Sequence, residues 1–315
     1  MGLVIASQLE ESLNEELRGH ALRPTVIAVP EDKPWTVAND ADILLVRPSP
    51  AWRLSRQSSR PAAWPGRLRW VYSASVGVDF YPRWLLEAPL ISCGRGVASE
   101  EIADYVISAI YHQAKNLEAV RARSLEEWKQ APLGRVTGST VGIVGLGAIG
   151  TAVARRALAL GTRVVAARRR ALPSPVEGVE LLDDLRAVVA AADHLVLALP
   201  GTDATNRLID GALLAYAKPT AHVINIARGS VLDQEALLAA LDGGRLGFAT
   251  LDVTEPEPLP ADHPLWRHPL VRLTPHVSSN YTLVRDVLFG KVIANFERFA
   301  RGETPSDLVD PQEGY

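Results

Sequence analysis

Residues 140–150 read T-V-G-I-V-G-L-G-A-I-G, and this stretch decides the fold. Its first five residues form an apolar run rich in β-branched side chains, which predicts a buried parallel strand. Gly145, Gly147 and Gly150 then follow in the spacing G-x-G-x-x-G. Residues 151–160 carry apolar side chains at helical spacing, so we expect a helix there. A strand, a glycine turn and a helix in this order predict a dinucleotide-binding turn in a parallel α/β sheet.

Each glycine of this turn has a separate predicted role. Gly145 permits the tight turn, Gly147 lets the backbone approach a pyrophosphate, and Gly150 lets the helix pack closely on the strand. The free N–H groups and the dipole at the helix start favour negatively charged phosphates. The alternative is a glycine-rich turn that binds no ligand. The flanking strand and helix favour the dinucleotide.

The end of the next predicted strand, residues 163–167, indicates which dinucleotide binds. Folds of this type that bind NAD place a carboxylate here, on the ribose 2′-hydroxyl. This chain instead has Arg168, Arg169 and Arg170. A guanidinium pairs with a 2′-phosphate, which a carboxylate would repel. We therefore expect NADP as the cofactor, with NADPH preferred over NADH. The alternative is a solvated basic loop.

Composition excludes several classes of protein. A length of 315 residues predicts two domains, and the net charge of −3 gives no reason to expect nucleic acid as a partner. No run of eighteen apolar residues is present, so no membrane span is expected. Cys93 is the single cysteine and the first ten residues lack a basic n-region, which favours a cytoplasmic protein. No metal site is expected.

Apolar runs on both sides of the glycine turn predict an α/β fold with two Rossmann-like doubly wound domains and a cleft between them. The predicted strands before the turn are 3–6, 25–29, 42–46, 69–72 and 90–92. From the turn onward six are predicted: 140–144, 163–167, 194–199, 222–226, 247–251 and 271–273.

Two long helical patterns define the predicted domain boundaries. One runs from 100 to about 123, with Ser99 as its predicted N-cap, and the other covers 281–299. The second is expected to return to the first domain. The expected domains are therefore 1–98 plus 281–315, which binds substrate, and 99–280, which binds the dinucleotide.

Three predicted strand ends in the second half carry polar side chains. Arg228 follows one strand, an acidic and proline-rich stretch at 251–260 follows another, and His276 follows a third. Because ligands bind at the carboxyl ends of strands in open α/β folds, these groups are expected to face one crevice.

Several motifs, in this order, resemble those of the D-isomer-specific 2-hydroxyacid dehydrogenase family. They are GLGAIG at 145–150, PGTDATNRLI at 200–209, NIARGSVLDQEAL at 225–237, LDVTEPEP at 251–258 and TPHV at 274–277. The C-terminal VDPQEGY at 309–315 is similar to that of the glyoxylate/hydroxypyruvate reductase A branch. The resemblance covers nearly the whole chain.

The resemblance implies NADPH-dependent reduction of a small 2-keto acid to the D-2-hydroxy acid. Arg228 would bind the substrate carboxylate and carbonyl, and His276 would donate the proton, paired with Glu257 rather than Glu255. Val76 and Gly77 would hold the substrate carboxylate through their backbone N–H groups. The residues implied for cofactor binding are Gly145, Leu146, Gly147, Ala148, Ile149, Gly150, Arg168, Arg169, Leu199, Pro200, Thr205, Ile226, Ala227, Arg228, Asp252, His276 and Ser278.

The family also implies a homodimer formed through the dinucleotide-binding domain. In this sequence an apolar stripe in the helix predicted at 100–123, at Ile102, Val106, Ile107 and Ile110, precedes an arm that contains Leu125, Trp128 and Leu133. We expect this region to form the interface.

Alternative functions remain open on the same fold. One is phosphite oxidation, and another is a nucleotide-sensing corepressor that recruits partners without catalysis. The corepressor is expected to carry an acid at the position of Arg168. Formate oxidation is disfavoured, because formate dehydrogenases have glutamine where Glu257 stands. Which 2-keto acid is reduced, and how the loop 95–99 is shaped, do not follow from the sequence.

Overall fold

Two all-parallel sheets organise the computed structural model, which describes residues 2–315. Each sheet lies in its own compact unit. Unit 1 comprises the chain up to Val97 together with Tyr281–Tyr315, and unit 2 comprises Ala98–Asn280. The predicted α/β class with two doubly wound sheets is confirmed.

Five strands form the sheet of unit 1. They are β1 Val4–Ser7, β2 Thr25–Ala28, β3 Ile43–Val46, β4 Trp70–Ser73 and β5 Ile91–Cys93, in the order β2-β1-β3-β4-β5. Helices α1 Glu11–Gly19 and α2 Pro50–Leu54 also belong to this unit. Three of the strands begin and end one residue later than predicted. Backbone pairing sets their ends, since polar Ser7 and Ser73 are buried and pair with Leu45 and Val46.

An aromatic cluster fills one side of unit 1. Trp52 is fully buried, and its indole N–H donates to Gln8 Oε1 at 2.7 Å. Its ring packs against Trp35, Tyr81 and Trp84 with centroids 5.5–6.0 Å apart. These contacts place Trp52 in the core.

Seven strands, one more than predicted, form the sheet of unit 2. They are β6 Thr140–Val144, β7 Arg163–Ala167, β8 Val179–Leu181, β9 His194–Leu197, β10 His222–Asn225, β11 Phe248–Leu251 and β12 Val271–Leu273. The order is β12-β11-β10-β9-β6-β7-β8. It reverses between β6 and β9, as in dinucleotide-binding folds. The strand absent from the prediction, β8, is a three-residue edge strand that pairs only with β7 and lacks a buried apolar run.

Helices cover both faces of the unit 2 sheet. They are α3 Ser99–Lys115, α4 Ala148–Ala159, α5 Leu185–Ala191, α6 Gly211–Leu214 and α7 Gln234–Asp242. One core lies between the sheet and the pair α3 and α4, and a second lies between the sheet and α5 to α7. The last helix, α8 Tyr281–Ala300, belongs to unit 1, where Phe299 packs on Trp70 with ring centroids 5.4 Å apart.

Helix α3 differs from its prediction at both ends. It stops at Lys115, because Asn116 adopts a left-handed conformation with φ of 35° and its N–H donates to His112 O. The prediction that Ser99 is the N-cap is wrong. Ala98 holds that position, since its carbonyl accepts from Ile102 N–H at 3.1 Å, and Ser99 is already helical and buried.

The apolar stripe of α3 packs within its own chain. Ile102, Val106 and Ile110 are buried in the core that α3 shares with α4 and β6, and Ile107 is packed against the same core. The expectation that this stripe forms a subunit interface is therefore wrong, because its side chains already pack against α4 and β6 of the same chain. Leu125, Trp128 and Leu133 of the following arm are exposed.

Within residues 2–315 no helix is long and apolar enough to cross a membrane.

Candidate active site

The glycine turn lies where the strand order of unit 2 reverses. Gly145 has φ of +102°, and a Cβ at this position would lie 2.5 Å from Ala198 O at the end of β9. A Cβ on Gly150 would lie 2.1 Å from Gly145 O, so the helix can approach the turn only with glycine there. Gly147 is the N-cap of α4, and nothing lies within 4 Å of where its Cβ would be. The turn therefore has open space at the helix N-terminus, which fits a dinucleotide pyrophosphate.

Arg168 lies beside this turn. Gly145 N–H donates to Ala167 O at 2.9 Å, and Arg168 is the next residue along the chain from Ala167. The Arg168 guanidinium donates through Nη1 to Pro173 O at 3.0 Å and is partly exposed, while Arg169 and Arg170 are exposed. The position where NAD-binding folds carry a carboxylate thus presents a guanidinium, and its donors fit a 2′-phosphate.

The loop after β9 has a rigid internal structure. Leu199 and Pro200 are partly buried, and Thr205 Oγ1 donates to Pro200 O at 2.7 Å and accepts from Thr202 N–H at 2.8 Å. Because the hydroxyl proton of Thr205 is used inside the loop, the side chain shapes this edge of the site and has no proton left for a ligand.

Arg228 follows β10 in a turn built by Asn225, a residue outside the predicted site. Asn225, which is 1% exposed, accepts from Ala227 N–H through Oδ1 at 3.1 Å and donates through Nδ2 to Arg228 O at 3.0 Å. Ile226 and Ala227 are buried. Arg228 itself is partly exposed, and its Nη1 donates to Ala227 O at 2.8 Å. An amide side chain at the end of a buried strand, just before a turn, is the signal that identifies Asn225.

The next loop approaches this turn closely. A Cβ on Gly229 would lie 1.9 Å from the carbonyl carbon of Thr254, so the two backbones are in direct contact. Glu255 is held by Gln234, which donates to Glu255 O at 2.6 Å and accepts from its N–H at 3.1 Å.

The structure brings His276 and Glu257 together. His276 Nδ1 lies 2.8 Å from Glu257 Oε1, and the two side chains are 47% and 36% exposed. Glu257, rather than Glu255, is therefore the carboxylate that contacts the imidazole. Since Nδ1 is bonded to the acid, Nε2 is the nitrogen available for proton transfer.

Asp252 organises the loop that carries His276. Its buried carboxylate accepts from Thr274 Oγ1 at 2.6 Å and from the N–H groups of Val277 and Ser278 at 2.8 and 2.9 Å. A carboxylate has about four lone-pair positions, and these three hydrogen bonds use three of them. Ser278 is buried by the same contacts.

Val76 and Gly77 lie in unit 1, in the loop after β4. Among residues 2–315 no hydrogen-bond acceptor faces the backbone N–H of either residue. Adjacent unpaired amides in a loop fit a carboxylate. The described chain contains no group of three or more His, Cys, Asp or Glu side chains that could hold a metal ion.

Residues 105–278 match the family model for the NAD binding domain of D-isomer specific 2-hydroxyacid dehydrogenases. The chain belongs to the D-isomer specific 2-hydroxyacid dehydrogenase family. Within this dehydrogenase family, glyoxylate/hydroxypyruvate reductase A of Serratia proteamaculans (strain 568) is 32% identical over 262 residues, which are 79% of this chain and 82% of that protein. The predicted family and the similarity to the reductase A branch are confirmed.

Solved structures of dehydrogenases of this family share the fold over the full length. The NADPH-dependent glyoxylate/hydroxypyruvate reductase from Sinorhizobium meliloti, in complex with NADP and sulfate, is 27% identical with a TM-score of 0.78, covering 99% of each chain. A D-isomer specific 2-hydroxyacid dehydrogenase from Xanthobacter autotrophicus Py2, in complex with NADPH and MES, is 25% identical with a TM-score of 0.81, covering 100% of each chain. The residues that match the family's NAD binding domain all lie in unit 2.

Proposed function

We propose that this chain uses NADPH to reduce a small 2-keto acid, of the size of glyoxylate or hydroxypyruvate, to the D-2-hydroxy acid. The observation that carries the proposal is the 2.8 Å contact between His276 and Glu257 at the carboxyl edge of the unit 2 sheet. A histidine with one nitrogen fixed by a carboxylate is a suitable proton donor near neutral pH. The names of the Serratia and Sinorhizobium relatives support the substrate class.

The coenzyme would be held by unit 2. The pyrophosphate would lie on the turn from Gly145 to Gly150, and the 2′-phosphate on Arg168 and Arg169. Asp252, with one lone-pair position left, would accept from the carboxamide. When bound, NADPH supplies the hydride. The bound NADP and NADPH in the two solved relatives support this choice of coenzyme.

The remaining chemistry falls to a few side chains. The Arg228 guanidinium would bind the substrate carboxylate and polarise the keto oxygen. In unit 1, the adjacent unpaired amides of Val76 and Gly77 suit a carboxylate, which supports unit 1 as the substrate-binding domain. His276 Nε2 would protonate the substrate oxygen, while Glu257 stabilises the imidazolium and fixes the ring.

Steady-state oxidation of NADPH with glyoxylate, hydroxypyruvate and pyruvate tests the proposal. We expect turnover with at least one of them and a D product in chiral analysis. Arg228→Ala should raise KM and lower kcat together, because it removes both carboxylate binding and carbonyl polarisation. Arg245→Ala, an exposed arginine of the same unit, is the control and should leave both constants unchanged. An inactive parent enzyme with all three acids would refute the proposal.

We also propose a homodimer. Four apolar side chains of the segment between α3 and β6 are exposed in the single chain, at 47–86% of their surface: Leu117, Leu125, Trp128 and Leu133. Such a concentration of exposed apolar side chains in one segment is typical of an interface.

A further inference from the structure

A chain of hydrogen bonds links helix α3 to the loop that carries His276. The hydroxyl of Tyr105, on α3, lies 2.6 Å from Thr274 Oγ1 at the end of β12. Thr274 Oγ1 in turn donates to Asp252 Oδ1 at 2.6 Å. An ionised carboxylate only accepts, so the single proton of Thr274 is committed to Asp252. Tyr105 must therefore be the donor of the first bond, and the chain runs in one direction from tyrosine to threonine to aspartate.

Asp252 connects this chain of hydrogen bonds to the loop that carries His276. Its carboxylate accepts from the N–H groups of Val277 and Ser278, and its backbone carbonyl accepts from His276 N–H at 2.9 Å. His276 has φ of 53°, in the left-handed region that non-glycine residues rarely adopt. A residue keeps such a conformation only where the surrounding contacts hold it there. Asp252 supplies those contacts on both sides of the histidine.

We propose that Tyr105 and Thr274 are positioning residues for His276, acting through Asp252. This inference rests on the proposed function, in which His276 is the proton donor. The side chain of Asp252 can rotate about two bonds, and the amides of Val277 and Ser278 alone do not fix which carboxylate oxygen serves which donor. The Thr274 hydroxyl occupies one position on Oδ1 and so sets the orientation of the whole carboxylate. Tyr105 fixes the threonine hydroxyl in turn.

This chain of hydrogen bonds from Tyr105 through Thr274 to Asp252, here called the relay, begins on a well-packed helix. Tyr105 lies between Ile102 and Val106, which are buried against α4 and β6, and it packs against the same core. Burial, together with the charge of Asp252, raises the pKa of Tyr105, so its hydroxyl keeps the proton at neutral pH. The β-branched Thr274 has restricted χ1 freedom, which limits the directions its hydroxyl can take. The exposed His276 loop is thus attached to a helix whose apolar face is buried in the core.

The first measurement is hydrogen–deuterium exchange of the segment 274–280 in the protein without coenzyme or substrate. Tyr105→Phe and Thr274→Val remove one hydroxyl each, and both should speed exchange of this segment by about tenfold, since its amides lose a fixed acceptor. Thr274→Ser keeps the hydroxyl and should resemble the parent. Tyr111→Phe, the same substitution at an exposed position of α3, is the matched control.

The second measurement is kcat and KM for glyoxylate at saturating NADPH. We expect kcat to fall about tenfold in Tyr105→Phe and about thirtyfold in Thr274→Val, within the range that a misplaced proton donor costs. KM should stay within about twofold, because the proposed binding of the substrate carboxylate by Arg228 does not depend on Tyr105 or Thr274. Thr274→Ser should restore most of the turnover, and Tyr111→Phe should lose none.

Two results would overturn the inference. One is parent-like exchange and turnover in both Tyr105→Phe and Thr274→Val. The other is faster exchange over the whole unit 2 sheet, which would show a general loss of stability instead of a local one. If the parent enzyme reduces no 2-keto acid, the proposed function fails, and exchange of the 274–280 segment still decides whether the relay holds His276.

Discussion

At the residue scale, the position after β7 is the one that we predict sets the preference for NADPH. Arg168 occupies it, and a charge-assisted contact with a 2′-phosphate is worth about 1.5–3 kcal/mol. We expect NADPH to be preferred over NADH by at least about tenfold in kcat/KM. Arg168→Asp should shift the preference toward NADH. Arg163→Gln, at the other end of the same strand, is the control and should not change the ratio. Equal efficiency with both coenzymes in the parent would contradict the assignment.

A second prediction at the residue scale concerns the acid pair. If His276 donates the proton, the imidazolium is the active form, so keto-acid reduction should be fastest at low pH and should decline as the imidazolium is lost at higher pH. Glu257→Gln removes the charge 2.8 Å from Nδ1 and should lower the pH at which the rate declines. His276→Ala should lose about 10²–10⁴-fold in kcat.

The measurement for the acid pair is the pH–rate profile with one keto acid and saturating NADPH. Glu255→Gln is the matched control, because Glu255 meets Gln234 through its backbone alone. Superimposable profiles for the parent and Glu257→Gln would show that Glu257 does not tune the donor.

At the scale of elements, two glycines of the strand–turn–helix unit should have different effects when substituted. Gly150 should affect stability, and Gly147 should affect coenzyme binding. A Cβ on Gly150 would lie 2.1 Å from Gly145 O, so Gly150→Ala should lower the free energy of unfolding by about 1–3 kcal/mol, as overpacking does. A Cβ on Gly147 meets nothing within 4 Å. Gly147→Ala should therefore fold with a loss of no more than about 1 kcal/mol and yet raise the KM for NADPH about tenfold or more.

Urea denaturation and NADPH titration of the two glycine variants check this separation. Each variant is the control for the other, because the substitution is the same and only the surroundings differ. Tight NADPH binding by Gly147→Ala would show that the space at the helix N-terminus is not used by the coenzyme.

Adjacent strands β9 and β10 place His194 opposite His222, with the two Nδ1 atoms 3.4 Å apart. Burial lowers the pKa of His194 to about 4 and holds that of His222 well below its usual range. In the unfolded chain His194 binds a proton as the pH falls through about 6.5, whereas in the folded chain it binds one only near pH 4. His194 therefore does not change the free energy of unfolding above about pH 6.5, and it lowers that free energy as the pH falls from 6.5 toward 4. The loss integrates to about 3 kcal/mol.

Urea denaturation at pH 7 and pH 5 tests this pH dependence. The difference in unfolding free energy between the two pH values should be smaller by about 2 kcal/mol in His194→Gln than in the parent, whatever the substitution costs at pH 7. Equal differences would show that His194 does not titrate on unfolding.

At the scale of the whole molecule, the arm between α3 and β6 is the proposed interface. Because the stripe of α3 is used inside the chain, the exposed side chains of the arm remain to pair with a second copy. Light scattering at micromolar concentration should give the mass of a dimer for the parent. The double variant Leu125→Asp/Trp128→Asp should give a monomer, since charges at an apolar interface are costly to bury. Leu54→Asp is the control, as Leu54 in unit 1 is equally exposed at 87%. A monomeric parent would refute the interface.

The sequence by itself was sufficient for the α/β class, for most strands, and for the family. The reason is that buried parallel strands require continuous apolar runs, and a glycine turn between strand and helix requires glycine at fixed spacing. Residues 140–144, 163–167 and 271–273 were predicted with the bounds that the structure has. The edge strand β8 and the Ser99 cap were not predicted correctly, because pairing and burial, rather than local composition, decide them.

Only the tertiary structure decided which groups meet. The choice of Glu257 over Glu255 rested on resemblance until the 2.8 Å contact with His276 was seen. The use of the α3 stripe depended on what packs against it, and periodicity alone does not distinguish a core from an interface. The same holds for the pair Tyr105 and Thr274, which are 169 residues apart in sequence. Hydrogen bonds between distant segments depend on the packing of whole elements, so local sequence patterns cannot specify them.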